Sequence, residues 1–217
     1  NPTQAYELAT SVTSSSREVV NKNVEERAMT LEELQAVRAI ILSSCVKDKW
    51  KSTRHGTLLR PDDVNLYDLN AALIKPVTKK HNCSFKELFS SGPSTPTFYT
   101  SHWWGENILD FVRCCEYHAT MHGLDASEAK YWVCAYANRQ HDLGKDLGTD
   151  PDKCSFRKAM DVAEGVVLII DPESVVYSRI WVDFELFKTM ESKHSSIDMV
   201  THHAGNVHLL ASKSFGE

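Results

Sequence analysis

The apolar positions of this chain follow two grammars, divided near Gly92-Pro93-Ser94-Thr95-Pro96. Before that break they recur at helical spacing. Leu31, Leu34, Val37, Ile41 and Cys45 continue from Thr30-Leu31-Glu32-Glu33, which has the form of a capping box at a helix start. Leu66, Leu69, Leu73, Ile74 and Val77 mark a second helix within Val64 to Val77, which Pro76 is expected to end or kink. Ser84-Phe85-Lys86-Glu87 opens a short third helix by the same capping logic. Upstream, the chain to Asn23 is rich in Ser and Thr with little period, so 1–29 are expected to form a flexible or arm-like segment ahead of a helical preface over 30–96.

After the break, strands and helices alternate. Phe98-Tyr99-Thr100-Ser101 reads as a short buried strand, followed by a helix carrying Ile108, Leu109, Phe111, Val112, Cys115 and Ala119 until Gly123 stops it. Tyr131 to Tyr136 reads as a second strand, followed by a polar loop over Asn138 to Asp152 and a helix from Ser155 to about Ala163. Val166 to Ile170 is apolar at every position, as expected of a central strand covered on both faces. A helix over Ser178 to Leu186 follows, and a last strand is expected at either Ile197 to Thr201 or Val207 to Leu210. This order predicts a three-layer α/β domain over 97–217, with a mostly parallel sheet flanked by helices and preceded by the helical extension.

Ligands in such sheets bind at the carboxyl edge of the strands. The first strand delivers Ser101, His102, Trp103 and Trp104 there, the second Asn138 and Arg139, and the third the start of the helix bearing Trp181 and Glu185. Those last two stand one helical turn apart on one face, an aromatic plate beside a carboxylate. An indole wall excludes water from a neighbouring carboxylate and offers a surface on which a flat ring can stack.

Composition narrows the field. The chain has 217 residues, 42% hydrophobic and 24% charged, with 24 Lys plus Arg against 29 Asp plus Glu and a net charge of −5. No run is strongly basic, so nucleic acid is not an expected partner. The longest apolar stretch, Gly165 to Ile170, is too short to span a bilayer. The six cysteines are dispersed in apolar surroundings and read as reduced buried thiols, which points to a cytoplasmic setting. Because the chain begins at Asn1, it is expected to be an excised or processed piece, which leaves room for a targeting sequence upstream.

The run Ser178-x-x-Trp181-x-x-x-Glu185-Leu186, with Phe98-Tyr99-Thr100-Ser101 in the place of a first strand ending in Ser, resembles the Toll/interleukin-1 receptor homology (TIR) domain. The likeness is to its divergent protist or algal form, a flavodoxin-like α/β fold, and covers the chain from about Thr97. Val182 stands where many members carry Cys, and Ser101 leads into His102-Trp103-Trp104-Gly105 where they have a short polar or basic loop. The resemblance implies an NAD nucleosidase that cleaves the nicotinamide–ribose bond, with Glu185 as catalytic carboxylate and Trp181 flanking the nicotinamide or ribose site. On this reading Trp103 or Trp104 stacks on a ring, and Ser101, Asn138 or Arg139 contact ribose or phosphate, with His102 beside them. NAD is then the substrate, no other cofactor or metal is required, and protomers are expected to self-associate. The alternative is a non-catalytic TIR-like interaction module or a structural subunit of a larger assembly.

Plainer readings stand beside these. Trp181 can be a core anchor and Glu185 a solvated helix residue. Trp103 and Trp104 can be packing or partner surface, and His102 a hydrogen-bonded loop histidine. Cys114, His118 and His122 share one helix face but lack the companion motifs of a zinc site, so helix packing is expected. Cys134 could pair with His141 or His102, yet it reads as an inert thiol in mid-strand. There is no Walker loop or Gly-x-Gly-x-x-Gly motif, which removes support for the familiar nucleotide folds.

Overall fold

The computed structural model describes residues 23–89, 92–191 and 196–214. Residues 1–22 of the arm expected over 1–29 lie outside them, and its remaining part is not arm-like. Val24, Arg27, Ala28 and Met29 are buried, and Met29–Thr30 forms the first strand, β1.

Helix α1 (Leu31–Ser44) begins where the capping box predicts. Thr30 Oγ1 accepts the Glu33 N–H at 3.2 Å, and Glu33 Oε2 accepts the Thr30 N–H at 2.9 Å, a cap whose loss costs about 1 kcal/mol. The next helix, α2, runs in three parts: Leu66–Leu69, a π-helical stretch Asn70–Ile74, and Lys75–Thr78. The widened turn lies just before Pro76, which has no N–H to offer the ladder, and the Lys75 N–H reaches back to the Asn70 carbonyl. A short helix α3 (Lys86–Phe89) follows.

Then come β2 (Phe98–Ser101), α4 (Ile108–Met121), β3 (Lys130–Trp132), α5 (Cys134–Ala137), α6 (Leu143–Leu147), α7 (Ser155–Val162), β4 (Gly165–Ile170), α8 (Ile180–Glu191), β5 (Ser196–His203) and β6 (Asn206–Ser214). Gly123, at φ +64°, ends α4 in the left-handed conformation a Schellman-type stop favours. The six strands form one sheet in the order β1-β3-β2-β4-β5-β6. The inner four are mutually parallel, and β1 and β6 run antiparallel at the edges. The fold is therefore α/β, with a mostly parallel mixed sheet flanked by helices.

Two expectations change. The second strand stops at Trp132, and Cys134–Ala137 turn into α5. A short apolar run does not distinguish a buried strand from a buried helical turn, and two alanines tolerate either. The last strand is not one candidate or the other but both, joined as a hairpin across Ala204 (φ 50°) and Gly205 (φ 83°), the pair of positive φ angles that a tight two-residue turn requires.

Alternation along the strands assigns the two faces of the sheet. Phe98, Val167, Ile169 and Val200 pack with Leu34, Ile41, Leu69, Phe85 and Phe111, so the helical segments over 30–96 share one core with the sheet. On the opposite face, Tyr99, Trp132, Val166 and Ile197 meet Ala159 and Met160 of α7, while Leu168 and Ile170 meet Val182 of α8. No helix among the described residues is long and apolar enough to cross a membrane.

Candidate functional site

Tyr99 and Ser101 are two residues apart on β2 and so point to the same face of the sheet, the one α8 covers. Both hydroxyls reach Glu185. The Tyr99 phenol donates to Oε1 and the Ser101 hydroxyl to Oε2, each at 2.5 Å. Glu185 is 7% exposed. Its carboxyl is held above the usual carboxylate range by burial, which outweighs the two hydroxyl donors and the nearby His102 and Arg179. Burial and the adjacent carboxylate hold the Tyr99 phenol well above its own usual range, so Tyr99 keeps its proton and donates it.

In front of this carboxylate is a cavity of about 210 Å³ at the carboxyl edge of the sheet. Its aromatic lining is continuous with a string of contacting rings. Tyr99 stacks on Trp132 at 5.4 Å, Trp132 meets Phe156 edge-on at 5.8 Å, and Phe156 meets Trp181 at 5.8 Å. Trp181 remains 44% exposed, which leaves ring surface free at the mouth. Four polar atoms in the lining residues are buried without a hydrogen-bond partner: Thr100 Oγ1, His102 Nε2, Asn138 Oδ1 and Arg179 Nη1. Among them, Arg179 Nη1 can donate to a ligand and Asn138 Oδ1 can accept from one.

The residues expected at the site divide. Glu185, Trp181, His102, Trp104 and Asn138 all line this cavity, and Ser101 enters through its bond to Glu185. Trp103 does not. It borders a second cavity beside Asp171 and His202, and its indole lies against Gly105 so closely that a Cβ there would fall 2.2 Å from the ring. Arg139 is also turned away. Its guanidinium binds both carboxylate oxygens of Asp146, at 2.6 and 3.2 Å, and its backbone N–H binds Asp146 Oδ2 at 2.7 Å. The buried Arg27 approaches the same carboxylate. Arg139 is therefore committed to an internal ion-pair cluster, and Arg179 is the arginine that faces the cavity.

Sequence reasoning missed Arg179, Tyr99 and Phe156 as parts of the site, and it placed Cys134 in mid-strand. Cys134 instead opens α5 at the end of β3 and lines the cavity, partly exposed. The Trp104 indole N–H donates to its sulfur at 3.0 Å. His102 bonds Glu106 Oε1 through Nδ1 at 2.9 Å, and its buried Nε2 makes no hydrogen bond of good geometry. Burial alone would lower the His102 pKa, but the Cys134 sulfur and the Glu106 carboxylate outweigh it and push the value up to about 9. The spacing His102-x-x-x-Glu106 was the available signal.

The histidines of α4 assemble elsewhere. His118 and His122 direct Nε2 at one oxygen of Asp198 on β5, at 3.1 and 2.8 Å. His118 Nδ1 contacts the Tyr131 hydroxyl, and Phe98 packs edge-on against the His118 ring. Cys114 borders the second cavity. The ligand atoms of His118, His122 and Asp198 lie within 4.8 Å of one another, so the third member of this group is an aspartate from another element.

Comparison of the chain with protein-family profiles, curated proteins and solved structures finds no match.

Proposed function

We propose that this protein is a TIR-like NAD nucleosidase, in which Glu185 is the carboxylate that stabilises cleavage of the nicotinamide–ribose bond. The observation that carries this reading is the placement of Glu185: a desolvated carboxylate, oriented by two hydroxyls, at the wall of an aromatic-lined cavity at the sheet's carboxyl edge. That cavity favours the enzyme over the non-catalytic module, which is better served by a carboxylate consumed in packing.

The cavity is smaller than the usual range for whole drug-sized ligands, so it suits one ring and its sugar rather than an entire dinucleotide. A nicotinamide ring stacked on Trp181 or Trp104 brings its positive charge towards Glu185. This offsets the effect of burial and favours the ionised carboxylate. As the C–N bond breaks, the bonding pair leaves with nicotinamide, which departs neutral and needs no general acid. The ribose acquires oxocarbenium character, which the Glu185 carboxylate stabilises or traps. Water adds to that carbon and loses a proton, giving ADP-ribose. Asn138 Oδ1 can accept from a ribose hydroxyl, and Arg179 Nη1 can donate to a phosphate. The free state of all six cysteines supports a reducing, cytoplasmic setting.

The test is release of nicotinamide from NAD by the purified protein at high concentration, compared with Glu185→Gln. Release that requires the carboxylate supports the reading, and equal turnover by both proteins removes it.

A further inference from the structure

The cavity holds a second set of chemically competent groups that glycosidic cleavage does not use. Cys45, Cys83, Cys114, Cys115 and Cys154 are buried, whereas Cys134 is partly exposed and lines the cavity. An indole N–H can only donate, so Trp104 holds the Cys134 sulfur as an acceptor, the role a thiolate fills better than a thiol. His102 is 6% exposed and lines the same cavity, with its Nε2 free of any hydrogen-bond partner. Its opposite ring nitrogen is fixed by Glu106, itself buried. The order thiol, imidazole, carboxylate is the arrangement in which a nucleophile is served by a base and the base is oriented by a third group.

We infer that Cys134 is a nucleophile, with His102 exchanging its proton and Glu106 orienting the imidazole, and that it accepts acyl groups from small esters, thioesters or amides whose carbonyl enters the cavity. The raised pKa of His102 agrees with an imidazolium beside the sulfur. In the first half-reaction the sulfur attacks the carbonyl carbon, a C–S bond forms, and the π pair moves to oxygen. Collapse breaks the bond to the leaving group, which takes the proton from His102 Nε2. In the second, water attacks the thioester as His102 accepts its proton, the C–S bond breaks, and a carboxylic acid leaves. No oxidant or reductant is needed. The titratable groups facing the thiol are His102 with Glu106 behind it, Tyr99 and Tyr136, and, around the cavity, Glu185 and Arg179. This inference is independent of the NAD reading.

Two measurements test it on the full chain. Iodoacetamide labelling followed by mass spectrometry should find Cys134 modified before the other cysteines, at a rate that falls about tenfold in His102→Gln. Mixing with p-nitrophenyl acetate should give a burst of nitrophenol with the acetyl group on Cys134. The burst should be absent in Cys134→Ser and slowed about tenfold or more in His102→Gln and Glu106→Gln. Labelling of Cys134 no faster than that of the buried cysteines, or acetyl found only on other residues, overturns the inference. Should His102→Gln not fold, the order of cysteine labelling and the site of acetylation in the wild type decide alone. Acylation is read on the protein and NAD cleavage on free nicotinamide, so failure of one is separable from failure of the other.

Discussion

Tyr99 and Glu185 are 86 positions apart in the chain and share a 2.5 Å hydrogen bond from phenol to carboxylate. With the Ser101 hydroxyl on the other oxygen, this bond orients Glu185 and partly opposes the rise in proton affinity that burial imposes. Tyr99→Phe or Ser101→Ala removes a donor that favours the ionised form, so the carboxyl pKa rises further. The acid limb of nicotinamide release is expected to move to higher pH in either variant, with turnover at neutral pH reduced about tenfold. A pH–rate profile superimposable on wild type would show that these hydroxyls do not tune the group.

The same burial makes Glu185 a liability to the fold. Its carboxyl has a higher pKa folded than unfolded, so between those values the native state holds a proton the unfolded chain has released, and stability falls as pH rises through that window. Glu185→Gln carries no such charge. It is expected to be as stable as wild type or more so at neutral pH, with the difference disappearing in acid below the ordinary Glu range. Urea denaturation at several pH values checks this, and a Gln variant less stable at every pH is the contrary result.

The two arginines near the polar loop should separate cleanly. Arg179 offers an unpartnered N–H in the cavity, and Arg139 is spent on Asp146. Arg179→Gln is expected to raise KM for NAD about tenfold, the scale of a lost charge-assisted hydrogen bond, with a smaller change in kcat. Arg139→Gln removes donors from a buried carboxylate and is expected to cost about 1–3 kcal/mol of stability while leaving KM unchanged. Steady-state kinetics beside denaturation curves distinguishes them.

At the opposite side of the core, Asp198 accepts from two imidazoles. Burial would raise its pKa, but His118, Ser212 and His122 outweigh it and hold the carboxyl well below the usual range. A depressed folded pKa adds stability that is present above the unfolded value and lost as pH falls through the folded one. Asp198→Ala is expected to cost about 1–3 kcal/mol for each imidazole N–H left without an acceptor, with the deficit largest near neutral pH. A pH-independent deficit would contradict this account.

Much of the architecture was legible because period and caps carry it. The Thr30 box, the all-apolar β4 and the helix of Phe111 and Val112 each announce their element locally. What was not legible depended on which way side chains turn after an element ends. Arg139 and Arg179 are equivalent as letters, and only the fold puts Asp146 beside one of them. Trp103 and Trp104 are adjacent, yet the chain sends the first onto Gly105 and the second to Cys134. The early exit from β3 at Trp132 moved Cys134 from an expected core position to the cavity, a difference set by tertiary packing rather than by local pattern. Tyr99 was readable as a buried strand residue, but its bond to Glu185 needed the register of β2 beneath α8.

The central claim is that Glu185 performs chemistry, and the most direct measurement is a time course of free nicotinamide from NAD with wild type and Glu185→Gln at equal, high concentration. Steady release by the wild type and none above background by a folded Gln variant is the expected result. Release at the same rate from both proteins, or from neither, would contradict the claim.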